Sequence, residues 1–467
     1  MSKSSVGAII EKGPQNWQII QQEAGYGCIS LSGRWATAEK VSDVKIYARV
    51  VSEETGESIV PWQCAQSLPD NGWEIVLKRI PAGGLYRIET CMSHAAVNGA
   101  LEWAIRGDMI HHIGIGDLYV IAGQSNAAGY GKDPAYDPPE LGVHVLRNSG
   151  RWDLASHPLN ESTDTIHDVN MEHGNPGHSP YLHFGKLLKK SLGYPIGLLQ
   201  ASLGGSPLSL WNPDENGALY RNMIDIINSQ GGRVKGILWY QGCSDAAPGL
   251  CQTYLARFMN MVDSIRRDLE LPDLPVLTVQ LNRYLEKSSP EADSYWGIVR
   301  EAQRQAAKII PNVYVVPALD CGLSDIIHNR SSANLMLGER LARTALTEIY
   351  GRSFLYKAPD LSKAIRVGIN KILLEFDNVY DRLDTLGVQP SQLPFTIVDE
   401  EGTANIRDCS LRKKNQFVIT LDRELKGRCV IHGAYQQNPP FIIPVDFETH
   451  LPMLAFYGIK VQAGEEV

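Results

Sequence analysis

Five short apolar runs recur between residues 117 and 319: DLYVIAG (117–123), PIGLLQAS (195–202), GILWYQG (236–242), PVLTVQL (275–281) and VYVVPAL (313–319). Each is apolar at successive positions, so both faces of such a strand must be covered. Amphipathic segments lie between most of them. Tyr181, Phe184, Leu188 and Leu192 repeat at helical spacing, as do Leu255, Phe258, Val262, Ile265 and Leu269. A further helix is expected over about 332–350, after Ser331-Ser332 and ending at Gly351. Doubly covered strands alternating with amphipathic helices predict an α/β fold: a five-stranded parallel sheet in a three-layer α/β/α arrangement. The long stretch 132–180 is rich in Pro, Asn, His and Gly and reads as a loop carrying one minor strand, VHVLRN.

The flanks read differently. CISLSGRWA, VKIYARVV, WEIVLKRI and LYRIETCM are short β-rich runs separated by turns such as PDNGW and PAGG. After residue 352 the chain again reads as β, in AIRVGINKILLEF, FTIVD, NQFVITL and CVIHGAY. A chain of 467 residues exceeds one ordinary core. The expected division is a β-sandwich-like region over 1–108, a catalytic α/β region over 109–352 and a β-rich region over 353–467.

Composition excludes some partners. A net charge of −8 with no Lys/Arg-rich block argues against nucleic acid and anionic membrane. No apolar run is long enough to span a bilayer, and MSKSSVGAIIEKGPQNW has no continuous apolar core of a signal peptide. A cytoplasmic protein is therefore expected. Its eight scattered cysteines, without a CxxC pair, read as reduced and mostly buried thiols. The oligomeric state is left open.

Ligands of open parallel sheets bind beyond the C-terminal strand ends. Those ends carry Gln124-Ser125-Asn126, Leu203-Gly204-Gly205-Ser206, Tyr240-Gln241-Gly242-Cys243-Ser244-Asp245, Gln280-Leu281-Asn282-Arg283, and Asp320 followed by Asp325-Ile326-Ile327-His328. A hydroxyl, glycine amides, side-chain amides, a carboxylate and an imidazole thus converge on one rim, a set that suits acyl transfer. Serine needs a base to take its proton, and His328 offers an imidazole, the side-chain type suited to that task near neutral pH. Asp325, three residues earlier, is placed to fix the imidazole tautomer. The tetrahedral intermediate needs fixed donors for its oxyanion. The backbone N–H groups of Ser125 and Gly204, with an amide side chain, are the expected donors. The serine sits in Gly123-Gln124-Ser125-Asn126-Ala127, and acid and base share one loop, unlike the G-x-S-x-G arrangement of α/β-hydrolases.

With these motifs in order, the sequence resembles the SGNH/GDSL hydrolase superfamily, and within it the sialate O-acetylesterase-like carbohydrate esterases. GDLYVIAGQSNAAGYG is similar to the nucleophile block, PIGLLQASLGGSPLSLW to the glycine block, WYQGCSDA to the third block and DIIHNRSSANLMLGERLA to the D-x-x-H block. The resemblance covers roughly 115–345. It implies removal of acetyl groups from carbohydrate through an acetyl-serine, with no metal and no cofactor. Ser125 is then nucleophile, His328 base and Asp325 its orienting acid. Gly204 is the oxyanion amide, with Gln241 or Asn126 as the third donor. The chain departs from the family at Cys243, where the third block usually has glutamate; a buried thiol is the expected reading.

Gln124, Gly205, Trp211 and Tyr240 are the expected substrate contacts, with Trp152 and Trp239 as further aromatic candidates and core packing as the plain alternative for each ring. His111 and His112 are expected on opposite faces of a strand, and His432 in a turn. The expected partner is an acetylated oligosaccharide of sialate, xylo- or manno- type. Two other readings stay open: a different acyl hydrolase on the same fold, and a carbohydrate-binding protein with a decayed site.

Overall fold

The computed structural model describes residues 6–37, 43–93 and 104–464. Met1–Ser5, part of the stretch read above for a leader, lie outside the described residues. The first strands are β1 (Gly7–Lys12), β2 (Ile19–Gln21), β3 (Tyr26–Ala36), β4 (Lys45–Ser52), β5 (Ser58–Cys64), β6 (Gln66–Leu68), β7 (Gly72–Pro81) and β8 (Gly83–Ser93). They lead into β9, an unbroken strand of 19 residues from Ile105 to Gly123. Strands β1, β3, β6 and β7 form an antiparallel sheet in the order β1-β3-β7-β6. β4, β5 and β8 join β9 on the other side, and the two sheets share a core containing Ile29, Val50, Trp73, Ile88, Ile113 and Ile115.

β9 changes character along its length. Up to His112 most of its residues are partly exposed, and from Ile113 to Gly123 every residue is buried. The second half is the run DLYVIAG, covered on both faces as its composition requires.

Around it lie β10 (Val143–Leu146), β11 (Trp152–Leu154), β12 (Ile196–Gln200), β13 (Gly236–Tyr240), β14 (Val276–Val279) and β15 (Val313–Val316), in the order β11-β10-β12-β9-β13-β14-β15. The five runs expected as strands are all present. The sheet is nevertheless mixed rather than a five-stranded parallel one. VHVL, read as a minor strand, is buried throughout and adds a further parallel strand, β11 pairs antiparallel with it, and β9 continues into antiparallel pairing with β8.

The helices are α1 (Ser125–Ala128), α2 (Tyr181–Leu192), α3 (Ala218–Ser229), α4 (Tyr254–Asp268), α5 (Pro290–Ile309) and α6 (Ser331–Glu348). α2 ends where Gly193, at φ +80°, returns its N–H to Lys189 O. α5 begins with Ser289 accepting from Ala292 N and Pro290 at its first position. α2 packs on α6, β10 and β12, whereas α4 packs on α5, which also lies on β15.

Beyond α6 the described chain forms a two-stranded sheet of Leu383–Asp384 and Val445–Asp446 and two larger sheets. One contains Asp360–Gly368, Lys371–Asp377, Ile406–Lys413 and Gln416–Leu421; the other contains Phe395–Asp399, Val430–Gly433 and Phe456–Lys460. They share a separate core around Phe376, Phe395, Phe417 and Phe456. Among the described residues no helix is long and apolar enough to cross a membrane. All eight cysteines are free; Cys91, Cys251, Cys321 and Cys429 are buried, whereas Cys28 and Cys64 are exposed.

Two expectations about histidines are corrected here. His111 and His112 do not take opposite faces. His112 has φ +60°, which breaks the alternation, and both rings meet Glu53, at 3.4 and 2.7 Å. His432 lies in a strand, not a turn, with Nδ1 accepting from Gly458 N and its ring against Tyr435 and Tyr457. Burial lowers its pKa to about 4.

Candidate active site

β9 ends in a turn that only glycine can make. Gly123 has φ +126°, and a Cβ there would meet Tyr240 O at 2.3 Å. Gln124 then donates its N–H to Tyr240 O, and its Oε1 accepts from Gly242 N at 2.9 Å and Ser244 N at 3.4 Å. That strap locks the end of β9 to the end of β13. Residues 113–129 are buried apart from Ser125, which is half-buried at the start of α1. A first-turn N–H has no partner within its own helix, which leaves the Ser125 amide as a candidate donor.

The loop after β15 is built around one carboxylate. Asp325 Oδ1 accepts from Ile327 N at 2.9 Å and His328 N at 2.8 Å, while Oδ2 lies 2.6 Å from His328 Nδ1. Burial acts to raise the Asp325 pKa, but these N–H groups and the imidazole outweigh it and hold the carboxyl below its ordinary range. An ionised Asp325 places the proton on Nδ1 and leaves the Nε2 lone pair available. Tyr130 stacks on the imidazole with centroids 4.6 Å apart.

Asn126 brings the two parts together. Its Nδ2 donates to Ile327 O at 3.2 Å, and its Oδ1 accepts from Asn329 N at 3.0 Å. The residue after Ser125 therefore grips the chain on both sides of His328. Asn282, from the end of β14, donates to the same Ile327 O and to Asn329 Oδ1 at 2.8 and 2.7 Å. Among the described residues no direct hydrogen bond joins Ser125 Oγ to His328; such contacts often tighten only with substrate bound.

Several of the expected site residues make their contacts within the protein. Asn126 Nδ2 uses one of its two N–H groups on Ile327 O. Gln241 is fully buried, and its Nε2 donates to Asp245 Oδ2 at 2.5 Å and Ser206 O at 3.2 Å. Asp245 in turn accepts from Leu208 N and from Arg257, tying the glycine block to the third block. Gln124 is the strap described above rather than an open contact. Trp211 is fully buried, donates to Ser206 Oγ at 3.0 Å and meets Trp239 edge-on. Tyr240 is buried with its hydroxyl near Asn329 Nδ2, and Trp152 is buried with its N–H on Gln230. These rings are core, because an aromatic at a strand end completes the packing under the rim. Cys243, expected as a buried thiol, is only partly buried; the desolvation it does meet pushes the thiol up to about 12, which keeps it protonated.

At the glycine block, Leu203 N donates to Gly123 O at 3.0 Å and so places Gly204 beside the turn that carries Ser125. The Gly204 N–H is not free: it donates to Glu172 Oε2 at 2.8 Å. Gly205, at φ +68°, is exposed with nothing near the place of a Cβ. Glu172 Oε1 accepts from the Tyr130 hydroxyl at 2.8 Å and Gly174 N at 3.2 Å. Asn160 Nδ2 lies 3.5 Å from Glu172 Oε2. Sequence reasoning missed Glu172, Tyr130 and Asn160. The two loop residues, Asn160 and Glu172, come from 132–180, where no periodicity marks a functional position.

One cluster has metal-ligand chemistry. Ligand atoms of Asp137, His157 and His178 lie within 4.8 Å of one another. His157 Nδ1 accepts from Ser179 N at 3.4 Å, so its proton sits on Nε2, facing Asp137 Oδ2 at 2.9 Å. Lys186 Nζ contacts Asp137 Oδ1 at 2.5 Å. The carboxylate is thus already neutralised. It is held far below the usual range because His157, His178 and Lys186 outweigh the opposing effect of burial. The cluster staples the long loop to α2.

Residues 115–347 match the family model described as "Carbohydrate esterase, sialic acid-specific acetylesterase". A probable carbohydrate esterase of Arabidopsis thaliana is 30% identical over 253 residues, covering 49% of this chain and 90% of the relative. The chain belongs to this carbohydrate esterase family. Members hydrolyse carboxylic esters, and Ser125, Gly204, Asp325 and His328 all fall inside the matched segment. Mouse sialate O-acetylesterase is 21% identical, covering 54% of this chain; the carbohydrate esterase described here spans 58% of that relative. Over nearly its whole length the fold is similar to the crystal structure of a carbohydrate acetylesterase from Xanthomonas citri. The TM-score is 0.65 at 20% identity, covering 95% of this chain and 97% of that one.

Proposed function

We propose that this esterase removes O-acetyl groups from carbohydrate through an acetyl-Ser125 intermediate. The observation that carries the reading is the Asn126 clamp, which fixes the Asp325–His328 pair next to the turn that presents Ser125. Ser125 Oγ attacks the acetyl carbonyl carbon as His328 Nε2 takes its proton, and the carbonyl electron pair moves onto oxygen. The Ser125 amide faces the resulting oxyanion. The intermediate collapses as His328 protonates the departing sugar oxygen. Water, deprotonated by His328, attacks the acetyl-enzyme and releases acetate, restoring the serine.

In this reading residues 109–352 perform the chemistry in the three-layer architecture of the superfamily, and 1–108 and 353–467 are separate β-rich regions at its sides. The substrate class is an acetylated oligosaccharide of sialate, xylo- or manno- type. The family description and the sialate O-acetylesterase relatives support acetyl as the acyl group.

The test is hydrolysis of p-nitrophenyl acetate by the parent and by Ser125→Ala, followed by acetate release from acetylated oligosaccharides read by NMR. The variant should lose at least about 10³-fold in kcat. Equal turnover in both would remove Ser125 from the reaction. No turnover in the parent, with carbohydrate binding retained, would favour a binding protein.

A further inference from the structure

The Gly204 amide, which the acyl reading needs as an oxyanion donor, carries an anion of the protein's own. Glu172 Oε2 sits 2.8 Å from Gly204 N, with Asn160 Nδ2 as a second donor at 3.5 Å. The carboxylate lies flat on the glycine: a Cβ on Gly204 would meet its oxygens at 2.9 and 3.0 Å. Its other oxygen is held by the Tyr130 hydroxyl, and the Tyr130 ring covers His328. A continuous set of contacts therefore runs from the oxyanion amide through Glu172 and Tyr130 to the base.

Two convergent N–H donors on one carboxylate oxygen have the form of an occupied oxyanion pocket. An ester carbonyl and this carboxylate cannot share the Gly204 hydrogen. Negative charge left there would also oppose the charge that builds on the acyl oxygen. We infer that Glu172 is a built-in competitor for the acyl oxygen, which must leave the Gly204 amide before an ester can be polarised by it. The inference rests on the acyl-serine reading above and adds a determinant of its rate. Glu172 is half-buried in the 132–180 loop, and the displacement the inference requires is a rotation about its own side-chain torsions. Once turned, it remains at the cleft as an acceptor for sugar hydroxyls. A small acetyl ester offers no hydroxyl in exchange, so it meets the full competition.

The experiment compares the parent, Glu172→Ala, Glu172→Gln and Ser125→Ala on p-nitrophenyl acetate, with the thermal unfolding midpoint of each. Removing the competing anion should raise kcat/KM by about tenfold in Glu172→Ala, the worth of one charge-assisted hydrogen bond, with the gain mainly in kcat. Glu172→Gln keeps the shape and a neutral acceptor, and should show a smaller rise. A purely structural role can only lower these rates. If Glu172→Ala is destabilised, the near-isosteric Glu172→Gln decides: an unchanged or lower kcat/KM overturns the competitor. An inactive Ser125→Ala with no faster Glu172 variant sinks the competitor alone; an active Ser125→Ala sinks it together with the serine mechanism.

Discussion

Asp325 performs two tasks with two oxygens. Oδ1 gathers the Ile327 and His328 amides, which shapes the loop, and Oδ2 orients the imidazole. Its folded-state pKa is depressed, so the unfolded chain binds a proton more readily than the native one. The stabilisation is therefore fully present above the ordinary aspartate value of about 3.9 and is lost as pH falls through the lower folded value. The difference in unfolding midpoint between the parent and Asp325→Asn should be constant from neutral pH down to about pH 4 and should shrink below it. A difference that grew on acidification would contradict the assignment. Asp325→Asn should also lower kcat at neutral pH, because an amide cannot enforce the Nδ1–H tautomer.

At the scale of elements, the turn that presents Ser125 depends on Gly123. Its φ of +126° and the 2.3 Å approach of a Cβ to Tyr240 O leave no room for a side chain. Gly123→Ala should break the β9–β13 alignment, giving little folded protein and no esterase activity, read by expression yield and p-nitrophenyl acetate turnover. This turn was legible in the sequence because an apolar run stopping at Ala122-Gly123 before Gln-Ser-Asn has few other solutions. The strands and α2 were legible for the same reason: burial on both faces, or on one helical stripe, leaves a periodic record. The roles of Asn126, Gln241 and Trp211 were not, since a polar or aromatic residue at a strand end serves the rim or the packing beneath it equally well. Only the partners decide, and those come from segments distant in sequence: Ile327 and Asn329 for Asn126, Asp245 and Ser206 for Gln241. Glu172 was invisible because its loop has no repeat from which a direction could be read.

On the scale of the molecule, the C-terminal sheets are fastened to the active-site sheet by Arg300 of α5. This guanidinium is fully buried, and burial lowers its pKa to about 9. It donates to Leu281 O at 3.0 Å, Tyr435 O at 3.0 Å and Gln436 O at 2.5 Å, and also to Asn282 O. Arg300→Met would keep the bulk and leave those carbonyls without donors, a loss on the order of 3 kcal/mol. The expected outcome is a lower unfolding midpoint together with reduced activity, since Asn282 also holds the His328 loop.

β9 acts at the other side of the molecule as a ruler. Its early residues are registered against β8, from Met92↔Ile105 to Gly83↔Ile115, and its last residue precedes the serine turn by only Gln124. Its second half is registered separately, from Asp117↔Ile196 to Ile121↔Gln200 on β12 and from Tyr119↔Gly236 to Gly123↔Tyr240 on β13, and a one-residue slip there would carry Ser125 about 3.3 Å along the strand axis. The depth of Ser125 is thus calibrated by the parallel pairings of β9 with β12 and β13, the two strands whose ends lead to Gly204 and Gln241.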